Sequence, residues 1–406
     1  MSEVGLMLYP WDVVADGPER VVDEIASRGA SRIEIATAYH SAEVIAPRRD
    51  AGVVTVAEAN TLHLPVPAES FSDLRIPQSR IAEQHPDLYE RLAEAASAAG
   101  LSLGGWAIAF HNSSLASEHP EAAIKSCFGD SFTHGLCPAN PRARSYAVDL
   151  VEAVASSGYF DRLLVESLSY LLYSHGHPHE LWGARLDATT RYLLSLCFCR
   201  YCTEAGASRG IDVEALRQEV AAQLSRSWNQ DFPHGRDGDD GTELASLHYA
   251  WPELYAYMQM RMERVTALVT DVIAAAHKHG VLLDVSAAVW GRPAQMNWLE
   301  GVDVVETLRV ADGFVLESYY PGAGEVAREI DHTLALRSLV DGNAADVNVA
   351  LTLWQSLSRS RGDFRAKVET VAASGTQKLS LYNYGTATRA TLDWVDDAVE
   401  IMGSQA

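Results

Sequence analysis

Val265-Thr-Ala-Leu-Val-Thr-Asp-Val-Ile-Ala-Ala-Ala-His-Lys-His279, then Gly280, then Val281-Leu282-Leu283-Asp284-Val285-Ser286-Ala287-Ala288 is the stretch on which the fold turns. The first part has helical periodicity, and the glycine can take the left-handed conformation that closes a helix. The last part is apolar at nearly every position, as suits a parallel strand covered on both faces. The same unit recurs. Pro86–Ala99 places Leu88, Leu92, Ala95, Ala96 and Ala99 on one helical stripe ahead of Gly100 and the run Leu101–Ala109. Phe364–Ser374 likewise precedes Gly375 and the run Lys378–Asn383.

Working outward, the remaining runs that read as strands are Val4–Tyr9, Arg32–Thr37, Arg162–Ser167, Gly313–Ser318 and Val347–Leu353. Together these make eight strands alternating with helices, which predicts an α/β fold, a (β/α)8 TIM barrel. Two connections exceed simple loops, so insertions are expected after strands 2 and 4, at about 40–85 and 170–252. The first should fold over the barrel mouth. The whole of 1–406 reads as a single catalytic barrel with no internal linker.

The chain has 406 residues, 54 acidic and 32 basic, for a formal charge of −22, and 48% of it is hydrophobic. That hydrophobic content excludes a disordered chain. The negative field disfavours nucleic acid and anionic membrane as partners. No basic leader followed by an apolar run and no membrane-length apolar stretch occurs, so a cytoplasmic location is the expectation. No phosphate-binding glycine loop, dinucleotide fingerprint or Gly-x-Ser-x-Gly elbow is present, so no organic cofactor is expected. A homo-oligomer is a possibility that no sequence feature decides.

Of five cysteines, three stand within six residues as Cys197-Phe-Cys199-Arg-Tyr-Cys202. Three thiolates at this spacing suit a structural zinc ion, which asks for a fourth; Cys137 and Cys127 are the candidates.

In a parallel barrel the C-terminal strand ends share one crevice, where catalytic groups belong. Glu166 and Glu317 occur in similar settings, Leu-Val-Glu-Ser-Leu-Ser-Tyr and Val-Leu-Glu-Ser-Tyr-Tyr, and Asp284 is the reserve carboxylate. Two carboxyl groups are what glycoside cleavage needs, one to protonate the leaving oxygen and one to attack or to activate water. Residues at or past strand ends that would contact a sugar are Glu34, His40, His111, Asn112, Trp290, Tyr319, Trp354, Asn383 and Tyr384. To these the loop His175-Gly-His177-Pro-His179-Glu180 adds hydrogen-bonding groups.

The segment Cys137-Pro-Ala-Asn-Pro-Arg-Ala-Arg144, then a helix, a strand ending in Glu166 and Cys197-x-Cys199-x2-Cys202, resembles the zinc-containing β-galactosidases among the barrel glycoside hydrolases. The resemblance covers Cys137–Cys202. It implies Cys137, Cys197, Cys199 and Cys202 as zinc ligands and Glu166 as acid/base. Val165 stands where that family has Asn. The family's nucleophile ends strand seven, and Val349-Ala-Leu-Thr-Leu-Trp-Gln355 holds no carboxylate. Glu317 is therefore read as the nucleophile. Strands four and six lie closer than four and seven, which points to a retaining glycosidase acting on an oligosaccharide or glycoside. The alternatives are a divalent-metal sugar isomerase or epimerase using Glu34, His111, Glu166, Asp284 and Glu317, or an inactive sugar-binding barrel.

Overall fold

The computed structural model describes residues 2–173, 181–184, 186–229, 241–286 and 294–404. Eight parallel strands close on themselves: β1 (Glu3–Leu8), β2 (Arg32–Tyr39), β3 (Ser102–Ile108), β4 (Arg162–Glu166), β5 (Leu282–Ser286), β6 (Gly313–Glu317), β7 (Asp346–Thr352) and β8 (Lys378–Tyr382). Each pairs in parallel with its chain neighbours, and β8 pairs with β1. All eight strands expected from the sequence form, with ends displaced by one or two residues.

One helix returns each strand to the next: α1 (Pro18–Ser27), α2 (Leu88–Ala98), α3 (Pro141–Ala155), α4 (Pro252–His277), α5 (Val304–Val310), α6 (Ala323–Arg337), α7 (Arg361–Ala373) and α8 (Trp394–Gly403). Their limits follow local chemistry. Asn140, Asp303 and Ser360 each accept a backbone N–H at the start of α3, α5 and α7. Gly100 and Gly280 hold φ of 74° and 73°, which ends α2 and α4 and turns the chain into the next strand.

The connections carry small elements of their own. Between β2 and α2 the hairpin Ala42–Ile45/Val54–Ala57 forms, and Thr61–Leu62 adds antiparallel to the end of β2. Between β4 and α4 stand the helices Ala188–Ser195, Arg200–Ala207, Val213–Trp228 and Gly241–Ala250. The sequence reading missed a third long connection. Between β3 and α3 lie a short helix, Ser113–Glu118, and the hairpin Ala123–Lys125/Ser131–Leu136.

Alternation along the strands splits the core in two. Leu6, Ile33, Leu163, Leu283, Phe314, Val349 and Leu379 pack outward under the helices. The inward set includes Met7, Ala36, Trp106, Leu164, Val315 and Ala350, a packed middle layer. Below it lies a charged layer. Arg162 pairs with Asp284, Asn348 donates to Asp284 at 3.1 Å, and Arg32 meets Glu34 at 2.5 Å and Ser380 at 3.1 Å. At Gly313 the Asp284 carboxylate occupies the space a Cβ would need, so only glycine fits. Above the middle layer the inward positions are Tyr9, Glu166, Ser286, Glu317, Thr352 and Tyr382, and these open on the mouth.

Candidate active site

Glu166 and Glu317 are the last residues of β4 and β6, with β5 and its terminal Ser286 between them. Ser167 follows Glu166 with φ 59°, a left-handed conformation rare for serine, and the turn is held by Ala109 N–H to Glu166 O at 3.0 Å and Phe110 N–H to Ser167 O at 3.1 Å. Such a turn makes Glu166 the final inward-facing residue of its strand. Both carboxyl groups are half-buried, set deep among protein atoms yet reached by solvent. Burial, then the like charge of Glu317, holds Glu166 well above the ordinary carboxyl range. Burial pushes Glu317 up to about 7, opposed by the Ser286 hydroxyl and reinforced by Glu329. The two therefore titrate as a pair that retains a proton near neutral pH.

Opposite the carboxyl groups, β1, β2 and β8 contribute a row of phenols. Tyr9 donates to Tyr39 at 3.0 Å, and the Tyr9 and Tyr382 hydroxyls are in direct hydrogen-bond contact. Burial raises all three, Tyr39 to about 12, so they stay protonated. Trp11 stacks on Tyr9 at 4.3 Å, Trp106 lies 5.3 Å from Tyr39, Tyr319 stacks on Tyr382 at 5.7 Å and Trp354 lies 5.3 Å from Tyr382. The indole N–H groups of Trp11 and Trp106 are buried with no acceptor among the described residues. Neutral donors, flat ring faces and two acids with raised proton affinity suit a polyhydroxylated ring.

Several expected site residues stand elsewhere. Asp284 lies in the charged lower layer, in register with Gly313 four residues below Glu317, roughly 13 Å down the strand at ~3.3 Å per residue. Glu34 belongs to the same layer, paired with Arg32 and accepting from Ser380 at 3.0 Å. The set that an isomerase metal would need is thus split between two layers. Asn112 is a helix cap, accepting Leu115 N–H at 2.9 Å and donating to Tyr146 at 3.3 Å. Tyr384 turns away from the mouth, donates to Glu24 at 2.8 Å and is covered by the Arg48 guanidinium. Asn383 is buried, its Oδ1 accepting Gly385 N–H at 2.8 Å. His40 stacks on Tyr39 at 4.3 Å and lies 4.5 Å from His111 at the rim. Tyr319 and Trp354 join the aromatic wall. His175, His177, His179, Glu180 and Trp290 lie outside the described residues.

Tyr9 and Tyr39 were missed as site residues. Tyr9 was legible, since Gly5, Met7 and Tyr9 share the inward parity of β1. Tyr39 was not: the pairing of β2 with β3 shifts register between Ala36 and Ala38, carrying the strand past Thr37 and changing which residues face inward.

Away from the mouth, Cys137, Cys197, Cys199 and Cys202 bring four sulfurs within 4.8 Å of one another, all buried. Cys137 Sγ lies 3.6, 3.6 and 3.5 Å from Cys197, Cys199 and Cys202. Those separations are too long for a disulfide and close to the ~3.75 Å edge of a tetrahedron of thiolates ~2.3 Å from zinc. The donor set therefore fits such a metal ion. Lys125 N–H points at Cys197 Sγ at 3.3 Å, and the Tyr170 hydroxyl lies 3.4 Å from Cys202 Sγ. The cluster joins the start of α3 to the helix Arg200–Ala207. Cys127 is buried apart from it, its thiol raised by burial to about 11.

Solved structures share this architecture. The catalytic domain of β-amylase from Paenibacillus polymyxa matches with a TM-score of 0.58 and 13% identity, covering 100% of this chain and 98% of that one. β-Galactosidase from the psychrophilic Marinomonas ef1 matches with a TM-score of 0.56 and 10% identity, over 99% of this chain but only 59% of that one. The endo-1,4-β-mannanase of Rhizomucor miehei matches with a TM-score of 0.54 and 9% identity, over 99% and 95%. The sequence matches no family model and no curated protein. At these identities the likeness establishes the fold: the chain is a (β/α)8 barrel of the kind on which these glycoside hydrolases are built. Among the described residues no helix is long and apolar enough to cross a membrane.

Proposed function

We propose that this barrel is a glycoside hydrolase that cleaves an oligosaccharide or glycoside with Glu166 and Glu317. The observation that carries the reading is the pair itself: two carboxyl groups with raised proton affinity, separated by one strand at the mouth and facing a wall of phenols and indoles. On this reading Glu166 protonates the glycosidic oxygen. Glu317 attacks the anomeric carbon, and the resulting glycosyl ester is hydrolysed by water that Glu166 deprotonates, giving retention. The phenol row opposite hydrogen-bonds the ring hydroxyls. Fold likeness to amylase, galactosidase and mannanase barrels raises the prior for this chemistry without specifying the sugar.

The four-thiolate cluster is proposed as a structural zinc site, as the resemblance to the zinc-containing β-galactosidases implies. Its four ligands leave no open position for chemistry and staple two connections on the β3–β4 side of the barrel. The test is hydrolysis of aryl glycosides with NMR detection of the first anomer released. Retained configuration supports Glu317 as nucleophile, inverted configuration makes it the base, and no turnover across a panel of α- and β-hexosides would sink the hydrolase reading.

A further inference from the structure

Behind Glu317 stands a third carboxyl group. Glu329, on the buried side of α6, is 2% exposed. It accepts hydrogen bonds from the Ala294 backbone N–H at 3.0 Å, from Tyr320 Oη at 3.1 Å and from the Ser318 hydroxyl. No Lys, Arg or His lies within ion-pair distance of it among the described residues. Lys367, the buried cation of the adjacent α7, is committed to Leu357 O at 2.6 Å and Ser358 Oγ at 2.9 Å. Burial raises this carboxyl group above its ordinary value, and the hydrogen bonds from Ser318, Tyr320 and Ala294 oppose that rise by holding the ionised form.

The partners of Glu329 are placed for one purpose. Ser318 and Tyr320 flank the turn that begins at Glu317, and Ser318 is itself buried with its N–H bonded to Ala350 O at 3.0 Å. Ala294 begins the short helical segment Ala294–Glu300. One carboxylate thus ties the end of β6 and the segment Ala294–Glu300 to α6.

We propose that Glu329 is a positioning residue for Glu317: it fixes the end of β6 against α6 and keeps an uncompensated negative charge at the back of the reacting carboxyl group. The proposal rests on reading Glu317 as one of the catalytic pair. The groups facing Glu317 are Glu166 from β4, Ser286 from β5, Tyr319 beside it, Tyr39 from β2 and Glu329 from α6. Those facing Glu329 are Ser318, Tyr320 and the Ala294 N–H, with Glu325 beyond Tyr320. Among the described residues Glu329 is the group whose like charge raises Glu317, so removing it should make Glu317 ionise more easily.

The experiment follows the Glu317 carboxyl directly, by its δ-13C resonance in protein labelled at glutamate, with the signal assigned through its loss in Glu317→Gln. Glu329→Gln is expected to lower the Glu317 titration midpoint by about half a pH unit or more, while Glu329→Asp, which keeps the charge, leaves it near the wild-type value. In active enzyme the limb of the pH–rate profile governed by Glu317 moves the same way. A Gln variant that melts earlier while Glu317 titrates unchanged would reduce Glu329 to a structural role and overturn the proposal. Equal shifts in the Gln and Asp variants would also overturn it, by assigning the effect to geometry and not charge. Because the titration needs no turnover, failure to hydrolyse any glycoside would strike the hydrolase reading and leave this result standing or falling by itself.

Discussion

Glu166 and Glu317 stand at the ends of β4 and β6 with β5 between them, and the like charge of Glu317 helps to hold the proton on Glu166. The strands they end do not touch, yet Ser286 lies between them, Tyr39 and Tyr319 feel both charges, and Tyr382 feels that of Glu166. A closed barrel produces this relationship without any loop holding the groups: inward parity and a common upper layer suffice.

Glu166→Gln should leave the fold intact and lower turnover of glycosides with poor leaving groups by ~10²–10⁴-fold, since general-acid assistance is worth that much. Substrates whose leaving group needs no proton should lose far less. Steady-state rates on a series of aryl glycosides of graded leaving-group acidity read the difference, and equal losses along the series would count against the acid role.

Glu317 also makes stability depend on pH. Its folded value, about 7, lies above the ~4.3 of an unfolded chain, so its favourable contribution is present below the unfolded value and is lost as pH rises through the folded one. Glu317→Gln removes that loss. The variant should gain on the wild type by about 1–3 kcal/mol between pH 5 and pH 8, visible as a urea midpoint that falls less with pH. Parallel curves for the two proteins would mean that Glu317 is already ionised in the folded state at pH 5.

Much of the fold was legible because apolar strands repeat eight times and three of the helices before them close on a glycine, Gly100, Gly280 and Gly375, so that each unit supports the others. The carboxyl pair was legible for the same reason, as both residues end such strands. Depth inside the barrel was not. Glu34 and Asp284 share inward parity with the pair, but sequence parity does not tell an upper layer from a lower one; Glu34 is held by Arg32 on its own strand and Ser380 on β8, and Asp284 by Arg162 and Asn348 on other strands. Asn112 and Tyr384 lie just past strand ends as expected, but the turn at each recruits the side chain for the chain's own backbone or for α1. The Cys137–Cys202 grouping needed no depth information, since four thiolates find one another through spacing and chemistry.

Cys199→Ser should lower bound zinc from close to one per subunit and reduce thermal stability together. Structural zinc contributes folding free energy through its thiolates, and one lost ligand leaves three buried sulfurs with an open coordination position. Metal analysis of freshly purified, unchelated protein, with melting curves before and after strong chelation, measures both. Protein free of zinc that melts no differently from the chelated sample would remove the zinc assignment, while Cys127→Ser, which touches no ligand, should change neither quantity.

Asp284 offers a structural carboxylate to set against the proposed catalytic pair. Its two oxygens are taken by Arg162 and Asn348 inside the barrel, beneath the packed layer of Trp106, Leu164, Val315 and Ala350. Asp284→Ala leaves the Arg162 guanidinium without its partner in a mostly enclosed site, a change that typically costs about 3–5 kcal/mol, or roughly 4–6 °C in melting temperature for a chain of this size. Arg162→Ala in the same background should recover part of that loss, because no unpaired charge remains; the coupling is read from a double-mutant cycle of urea midpoints. Turnover per folded molecule should stay within about threefold of wild type, since removing a charge one strand-length below the mouth leaves Glu166 and Glu317 in place. A fall of ~10³-fold in turnover with an unchanged melting temperature is the opposite pattern. It would return Asp284 to the reacting atoms and leave the lower layer without its structural explanation.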